Sequence, residues 1–257
     1  MDLDTAAISE QGADRDVNED ALVEDKAHGL FAIADGVGGG SDGQAASRLA
    51  VGTFREAMTS APATVARLPV LDRLRAAFAQ TNAVLVSTAA HGGRSLWTTL
   101  TAAVVQDGML YLAHSGDSRA YVIDDDKASQ LTDDHTIVAD MVRQGLMSAT
   151  DAQSHPRRGI LSSCLGMHDS AKVQTRASPL TAGQVLVLCT DGIACHLTDS
   201  ELVACARDEP RADAAAAALA AKALANHSPD DRSALVVRVR QAQPDTPSHP
   251  PEGARHG

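Results

Sequence analysis

Aromatic residues, long apolar runs and paired cysteines are scarce or absent in this 257-residue sequence. Aromatic side chains make up only 2% of the chain, so Ala, Val, Leu and Ile must build the core. The hydrophobic fraction of 44% is large enough to exclude global disorder. No apolar run approaches the roughly 20 residues of a membrane-spanning helix, so an integral membrane protein is not expected. The acidic N-terminal stretch lacks the apolar segment of a secretory signal.

Cysteine usage and charge narrow the class of protein further. The four cysteines, at positions 164, 189, 195 and 205, form no C-x-x-C pair. We therefore expect reduced, mostly buried thiols and a cytoplasmic location. With 33 acidic and 22 basic residues, the formal net charge is −11, so a nucleic-acid partner is not expected.

Apolar periodicity predicts alternating strands and helices within one domain at 1–240. Short apolar runs predict strands at 30–34, 185–189 and 234–239, and Asp107-Gly108 predicts a hairpin turn. Helices are predicted at 44–58, 72–88, 137–144 and 211–226, and a Thr150/Gln153 capping box predicts one more. The proline-rich segment 241–257 is predicted to be a disordered tail.

Several aspartates stand where predicted strands begin or end. Asp35 and Asp191 directly follow apolar strands, Asp231 directly precedes one, and Asp117 lies in a turn between two others. Asp20 directly precedes a short apolar segment. Carboxylates without His or Cys partners favour Mg²⁺, Mn²⁺ or Ca²⁺, and two such ions would form a hydrolytic centre. Each aspartate taken alone is better explained as an ordinary turn residue, because Asp tolerates turn geometry, and only their joint occurrence at strand ends favours a metal site.

Short motifs that contain these aspartates follow one another along residues 15–231. In chain order they are Arg15-Asp16-Val17-Asn18-Glu19-Asp20, Asp35-Gly36-Val37-Gly38-Gly39, Thr98-Thr99, Gly116-Asp117-Ser118-Arg119, Leu131-Thr132-Asp133-Asp134-His135, Ser154-His155-Pro156, Thr190-Asp191-Gly192 and Asp231. This ordered set resembles the metal-dependent Ser/Thr protein phosphatases of the PPM type, the protein phosphatase 2C family, in its bacterial form. The resemblance implies an α+β fold, a four-layer α-β-β-α sandwich of two antiparallel sheets flanked by helices.

The resemblance also implies hydrolysis of phosphoserine and phosphothreonine in proteins by a metal-activated water, opposing a Ser/Thr kinase. Two Mn²⁺ or Mg²⁺ ions, with a third between Asp117 and Asp191, would be the cofactors. Arg15 would grip the phosphate and Glu19 would lie beside the ions. The implied ligands are Asp20, Asp35 as the bridging carboxylate, the Gly36 carbonyl, Asp117, Asp191 and Asp231.

Three positions depart from the family pattern. Val37 stands where animal members carry a histidine proposed as the general acid, Trp97 replaces a glycine, and Arg232 replaces the asparagine after the final aspartate. The pair Asp230-Asp231 leaves the register of that last motif ambiguous by one, and we assign Asp231.

Residues 131–168 match the family's flap beside the active site. Their candidate substrate contacts are His135, His155, Arg157 and Arg158, and the alternative is a solvated polar loop.

Two other functions are compatible with parts of the sequence. Gly38, Gly40 and Gly43 fit a G-x-G-x-x-G pattern between a strand and a helix, which would indicate a dinucleotide-binding enzyme. A module that kept the fold but only binds phosphorylated partners is the other alternative; the full set of acids and Arg15 argue against it.

Overall fold

The computed structural model describes residues 2–240, and the predicted tail at 241–257 lies outside them. The strands are β1 (Asp2–Glu10), β2 (Asp20–Asp25), β3 (Leu30–Val37), β4 (Trp97–Thr98), β5 (Leu100–Gln106), β6 (Met109–Ser115), β7 (Arg119–Asp124), β8 (Lys127–Gln130), β9 (Gln174–Pro179), β10 (Val185–Cys189) and β11 (Arg232–Arg240). The helices are α1 (Ser41–Thr59), α2 (Ala63–Ala66), α3 (Val70–Gly92), α4 (Ile137–Arg143), α5 (Ala149–Gln153), α6 (Asp191–Ala194), α7 (Asp199–Arg207) and α8 (Ala212–Ala225).

Two antiparallel sheets form the centre of the molecule. One has the strand order β1-β11-β10-β7-β8, and the other has the order β2-β3-β5-β6-β9 with β4 paired to β3. Helices α1 and α3 cover the second sheet, whereas α7 and α8 cover the first. The predicted α-β-β-α sandwich is therefore confirmed.

Strand β3 shows how the sequence divides the core into layers. Successive side chains of a strand point to opposite faces. Phe31 and Ile33 pack between the two sheets, whereas Ala32 and Ala34 face α1 and α3. The small alanines let the helices approach closely, and one of the few aromatic pairs, Phe54 with Phe78, joins the two helices edge to face at 5.6 Å.

Several predicted elements are confirmed, and others need correction. Asp107 and Gly108 both adopt positive φ in the hairpin between β5 and β6, as the turn signal predicts. The capping-box prediction was wrong, because α5 begins at Ala149 and its cap is Ser148, which accepts from the Asp151 amide. Edge strands β1, β8 and β9 and helix α7 were not predicted.

The dinucleotide-binding alternative was also wrong. A dinucleotide site of that type needs parallel strands joined by a crossover helix. Here β3 pairs antiparallel with both β2 and β5, and α1 leads into further helices. The glycines therefore precede a helix that covers an antiparallel sheet, not a helix that connects two parallel strands.

The flap region contains α4 and α5 and is joined to the domain at its base. Isolated bridges link Thr136 with Leu161 and Thr98 with Leu165. The buried Asn82 side chain donates to the carbonyls of His168 and Asp169 and accepts from the Gly166 amide. Among residues 2–240, none of the helices has the length and apolarity needed to cross a membrane.

Candidate active site

Four aspartates from distant segments meet at one end of the sandwich. Asp20, at the start of β2, lies directly opposite Asp35 in the antiparallel register of β2 and β3. Asp191 follows β10 as the first residue of α6, and Asp117 lies in the turn between β6 and β7. The structure therefore brings together Asp20, Asp35, Asp117 and Asp191 as the sequence predicts.

Hydroxyl groups and a close backbone contact hold the end of β3. The Asp35 amide donates to Thr99 Oγ1 at 2.9 Å, and Thr98 Oγ1 donates to the Asp35 carbonyl at 2.8 Å. Gly36 packs directly on α1, since a Cβ there would lie 2.1 Å from the Gly43 carbonyl oxygen. No residue larger than glycine fits at Gly36 without moving the helix, so Asp35 sits on a rigid support.

Crowding and burial perturb the carboxylates strongly. Burial, with the charges of Asp20 and Asp191, raises the pKa of Asp35 well above its usual range. Burial likewise raises the pKa of Asp20 to about 8. Burial is also the largest cause that raises the pKa values of Asp191 and Asp117. The charge of Asp230 raises the pKa of Asp191 further, and the charge of Asp191 raises that of Asp117 further. Such a cluster is costly to keep ionised unless cations neutralise it.

Three carboxylate oxygens in this cluster are buried without a hydrogen-bond partner: Glu19 Oε2, Asp20 Oδ1 and Asp191 Oδ1. An unpartnered buried oxygen carries its full desolvation cost, so these atoms fit divalent cations as missing partners. Within residues 2–240, no three acidic, His or Cys side chains already stand in a closed ion-binding arrangement. The donor set itself is the all-oxygen set that Mg²⁺ and Mn²⁺ prefer.

The assignment of Asp231 needs correction. Both of its oxygens accept backbone amides at 2.7 Å, from Gly12 and Glu19, and the side chain is only 3% exposed. Its neighbour Asp230 is the acid whose charge raises the pKa of Asp191 and Asp35. Asp230 also lines the groove beside Asp117 and Asp191 and therefore faces the site, whereas both oxygens of Asp231 are taken up by backbone amides.

Arg15 and Glu19 lie on the rim of the same cluster. Arg15 Nη2 donates to Asp230 Oδ2 at 2.6 Å, which raises the pKa of the guanidinium, and Arg15 Nη1 lies 3.3 Å from Glu19 Oε1. Glu19 Oε1 also accepts the Gly40 amide at the start of α1. The Arg15 side chain is about one-third exposed, so an anion that approaches the acids from solvent can contact it.

A groove of about 1220 Å³ opens beside these groups. Asp117, Asp191 and Asp230 line its floor, and one wall is the flap. The other wall is the segment between α6 and α7, including Cys195 and Thr198. All four cysteines are free, but only Cys164 and Cys189 are buried, so the expectation of mostly buried thiols holds for half of them.

The four candidate substrate contacts of the flap differ in exposure and in whether they line the groove. Arg158 is exposed and lines the groove, whereas the exposed Arg157 and the half-buried His155 are not among its lining residues. His135 is only 1% exposed, and its ring packs on His114 with centroids 4.9 Å apart. A buried ring cannot touch a protein substrate, so the interpretation of His135 as a substrate contact was wrong.

Sequence analysis missed the bond between Arg119 and Asp134. Arg119 donates to both carboxylate oxygens of Asp134, at 2.9 and 2.7 Å, and also to the Ala194 carbonyl. Both residues belong to quoted motifs, but a pairing across 15 residues has no local signal in the sequence.

Comparisons with known proteins agree with this geometry. The family model of protein phosphatase 2C matches residues 11–229. The serine/threonine phosphatase stp of Listeria innocua is 31% identical over 199 residues, which cover 76% of this chain and 79% of the relative. The serine/threonine protein phosphatase PstP of Mycobacterium tuberculosis is 30% identical over 236 residues, 91% of this chain but 44% of the longer relative.

Solved structures give the same result. A crystal structure of M. tuberculosis PstP superposes with a TM-score of 0.84 at 29% identity, covering 93% of this chain and 99% of that chain. A structure of the PstP catalytic domain in complex with two manganese ions has a TM-score of 0.79 at 28% identity, covering 93% of this chain and 99% of that chain. This chain belongs to the protein phosphatase 2C family and is a protein-serine/threonine phosphatase.

Proposed function

We propose that this phosphatase hydrolyses phosphoserine and phosphothreonine in proteins at a centre of two or three Mn²⁺ or Mg²⁺ ions. The observation that carries the proposal is the convergence of five buried or half-buried aspartates beside Arg15, with two of their oxygens left without a partner. They are Asp20, Asp35, Asp117, Asp191 and Asp230.

Asp35 is the best candidate for the carboxylate shared between ions. It lies between Asp20, its cross-strand neighbour, and Asp191, and its pKa rises under the charges of both. Asp117 and Asp191 would share a further ion, because the charge of Asp191 raises the pKa of Asp117. When bound, the ions supply a hydroxide near neutral pH by lowering the pKa of a coordinated water.

The protein's own residues orient the substrate. Arg15 is a partly exposed cation that contacts Asp230 beside the other acids, and its planar guanidinium can hold two phosphate oxygens at once. When Arg15 turns from Asp230 to the substrate phosphate, the Asp230 carboxylate becomes available to bind an ion. Val37, half-buried at the end of β3, cannot transfer a proton, so the leaving Ser or Thr oxygen takes its proton from water or from another group.

Two aspartate variants and a phosphopeptide assay test the proposal. Asp35→Asn keeps the size of the side chain but removes the charge that would hold the ions, so Mn²⁺-dependent release of phosphate should fall at least a hundredfold. Asp126→Asn is the matched control, because Asp126 is exposed in the turn between β7 and β8. Full activity in Asp35→Asn would refute the assignment of the shared ligand.

The same assay separates a phosphatase from a module that only binds phosphorylated partners. Phosphoserine and phosphothreonine peptides should lose phosphate with Mn²⁺ and keep it with EDTA, and p-nitrophenyl phosphate should behave in the same way. Binding without turnover under all metal conditions would favour the binding module. Opposition to a Ser/Thr kinase predicts that phosphoproteins accumulate in cells lacking this chain, which phosphoproteomics would measure.

A further inference from the structure

Asp117 stands on a turn whose two sides are both held by the flap. On the N-terminal side, the His135 amide donates to the Gly116 carbonyl at 2.7 Å, and the Gly116 amide donates back to His135 Nδ1 at 3.2 Å. Gly116 itself has a φ of +118°, and a Cβ there would lie 2.6 Å from Thr99. The turn therefore depends on glycine and on the single residue that satisfies both polar groups of its backbone.

The C-terminal side of the turn is held by the residue next to His135. Asp134 accepts two hydrogen bonds from Arg119, a fork geometry that fixes orientation as well as distance. Arg119 also donates to the Ala194 carbonyl, in the short helix that begins with Asp191. The dipeptide Asp134-His135 thus clamps both ends of the segment 116–119.

A chain of buried hydrogen bonds also connects the 116–119 segment to β5 and to the residue before it. Ser118 Oγ lies 2.7 Å from Thr99 Oγ1, the same hydroxyl that accepts the Asp35 amide. Thr101 Oγ1 donates its one hydrogen to the Ser118 carbonyl. It also lies 2.8 Å from His114 Nδ1, and in that bond the histidine nitrogen must therefore be the donor. Asp35 and the turn of Asp117 are consequently tied to one network.

His135 also belongs to the other end of the flap. Its carbonyl accepts the Ser162 amide at 2.8 Å. Burial lowers the pKa of His135 to about 4, so the ring is neutral at physiological pH and Nδ1 is free to accept. One residue near the start of the flap therefore contacts both the Asp117 turn and Ser162, in the C-terminal part of the flap.

We propose that His135 is a positioning residue that holds the Asp117 carboxylate against Asp191 and ties that position to the base of the flap. The inference rests on the proposed ion shared by Asp117 and Asp191. Without the ring acceptor the Gly116 amide is buried and unpartnered, and the turn is free to reorient Asp117. The expected consequence is weaker binding of the ion that Asp117 shares, together with a looser flap base.

The first test uses the metal-free protein and three variants. His135→Ala removes the ring acceptor, His135→Asn keeps an acceptor at the position of Nδ1, and His168→Ala removes an exposed flap histidine as the control. Hydrogen exchange should be at least tenfold faster for Gly116 and for the flap base in His135→Ala. It should return near wild type in His135→Asn and stay unchanged in His168→Ala. Unchanged exchange at Gly116 in His135→Ala overturns the proposal.

The second test is a double-mutant cycle on Mn²⁺ binding, measured by calorimetry. His135→Ala should weaken one class of sites about tenfold, and the effect should vanish in an Asp117→Ala background. An equal loss in both backgrounds shows a general structural role and overturns the proposal. The proposal is also overturned if Asp117→Ala binds Mn²⁺ as wild type does. Any Mn²⁺-dependent hydrolysis that this variant retains would show that the proposed phosphatase function stands even when the His135 proposal fails. If His135→Ala does not fold, the cycle is run with His135→Gln, whose longer side chain misplaces the acceptor.

Discussion

Two adjacent carboxylates, Asp230 and Asp231, should give opposite phenotypes when each is changed to asparagine. Asp231 is buried and accepts the amides of Gly12 and Glu19 at 2.7 Å each. Asp230 is 27% exposed, contacts Arg15 and faces the carboxylate cluster. We expect Asp231→Asn to destabilise the fold, and Asp230→Asn to abolish activity while leaving the fold stable.

The magnitudes follow from what each change leaves behind. An asparagine at 231 offers one acceptor oxygen, so one buried amide loses its partner at a cost of about 1–3 kcal/mol. At about 2–4 °C per kcal/mol for a domain of this size, the melting temperature should fall by about 2–12 °C. Asp230 belongs to a partly exposed ion pair worth about 0–1 kcal/mol after solvent screening, so its loss should move the melting temperature by at most about 4 °C.

The assay combines thermal unfolding in EDTA with Mn²⁺ titration and steady-state kinetics on a phosphopeptide. Asp230→Asn should bind Mn²⁺ more weakly and lose at least a hundredfold in kcat/KM, with near-normal unfolding. Asp231→Asn should unfold earlier but keep substantial Mn²⁺-dependent activity at low temperature. The reverse pair of results, a stable but metal-deficient Asp231→Asn beside an active Asp230→Asn, would refute the register derived from the structure.

Three further predictions concern the rest of the site. Arg15→Lys keeps the charge but loses the fork, so KM should rise about tenfold with little change in melting temperature, as measured by kinetics and calorimetry. Gly43→Ala places a Cβ 1.9 Å from Glu19 Oε2 and should destabilise the protein by about 1–3 kcal/mol. Gly52 lies in the same helix with open space around it, so Gly52→Ala should stabilise the protein by about 0.5–1 kcal/mol; denaturant titrations measure both changes. Because the folded pKa of Asp20, about 8, lies above its unfolded value, stability of the metal-free protein should be lost as pH rises from about 4 to 8; a flat melting temperature over that range would contradict this.

The positions of the aspartates at strand ends were predictable because they depend on local signals. A short apolar run ending at Asp-Gly marks a buried strand close to its end: Asp191 follows β10, whereas β3 continues through Asp35 to Val37. The edge strands β1 and β9 carry no comparable run, since residues such as Asp4 and Arg176 face solvent or the sheet rim there. Their pairing partners lie far along the chain, and local periodicity does not report them.

The register of the last motif illustrates a different limit. Asp230 and Asp231 have the same chemistry and both stand just before β11, so distance to the strand cannot separate them. Adjacent side chains at a strand entrance point in different directions, and which direction leads to the cations depends on the distant amides of Gly12 and Glu19. Only the folded chain shows that one carboxylate serves the backbone and the other the site.

His135 makes the same point about burial. A histidine beside acids in a polar segment resembles a substrate contact, and nothing within its own motif indicates that its ring lies against Gly116, 19 residues away. Its neutral ring satisfies a backbone amide that the Asp117 turn would otherwise bury unpaired. A polar residue beside a catalytic centre can therefore act through the backbone of another motif. Exposure separates the two kinds of polar residue in the flap: His135 is 1% exposed, whereas Arg158 is exposed and lines the groove.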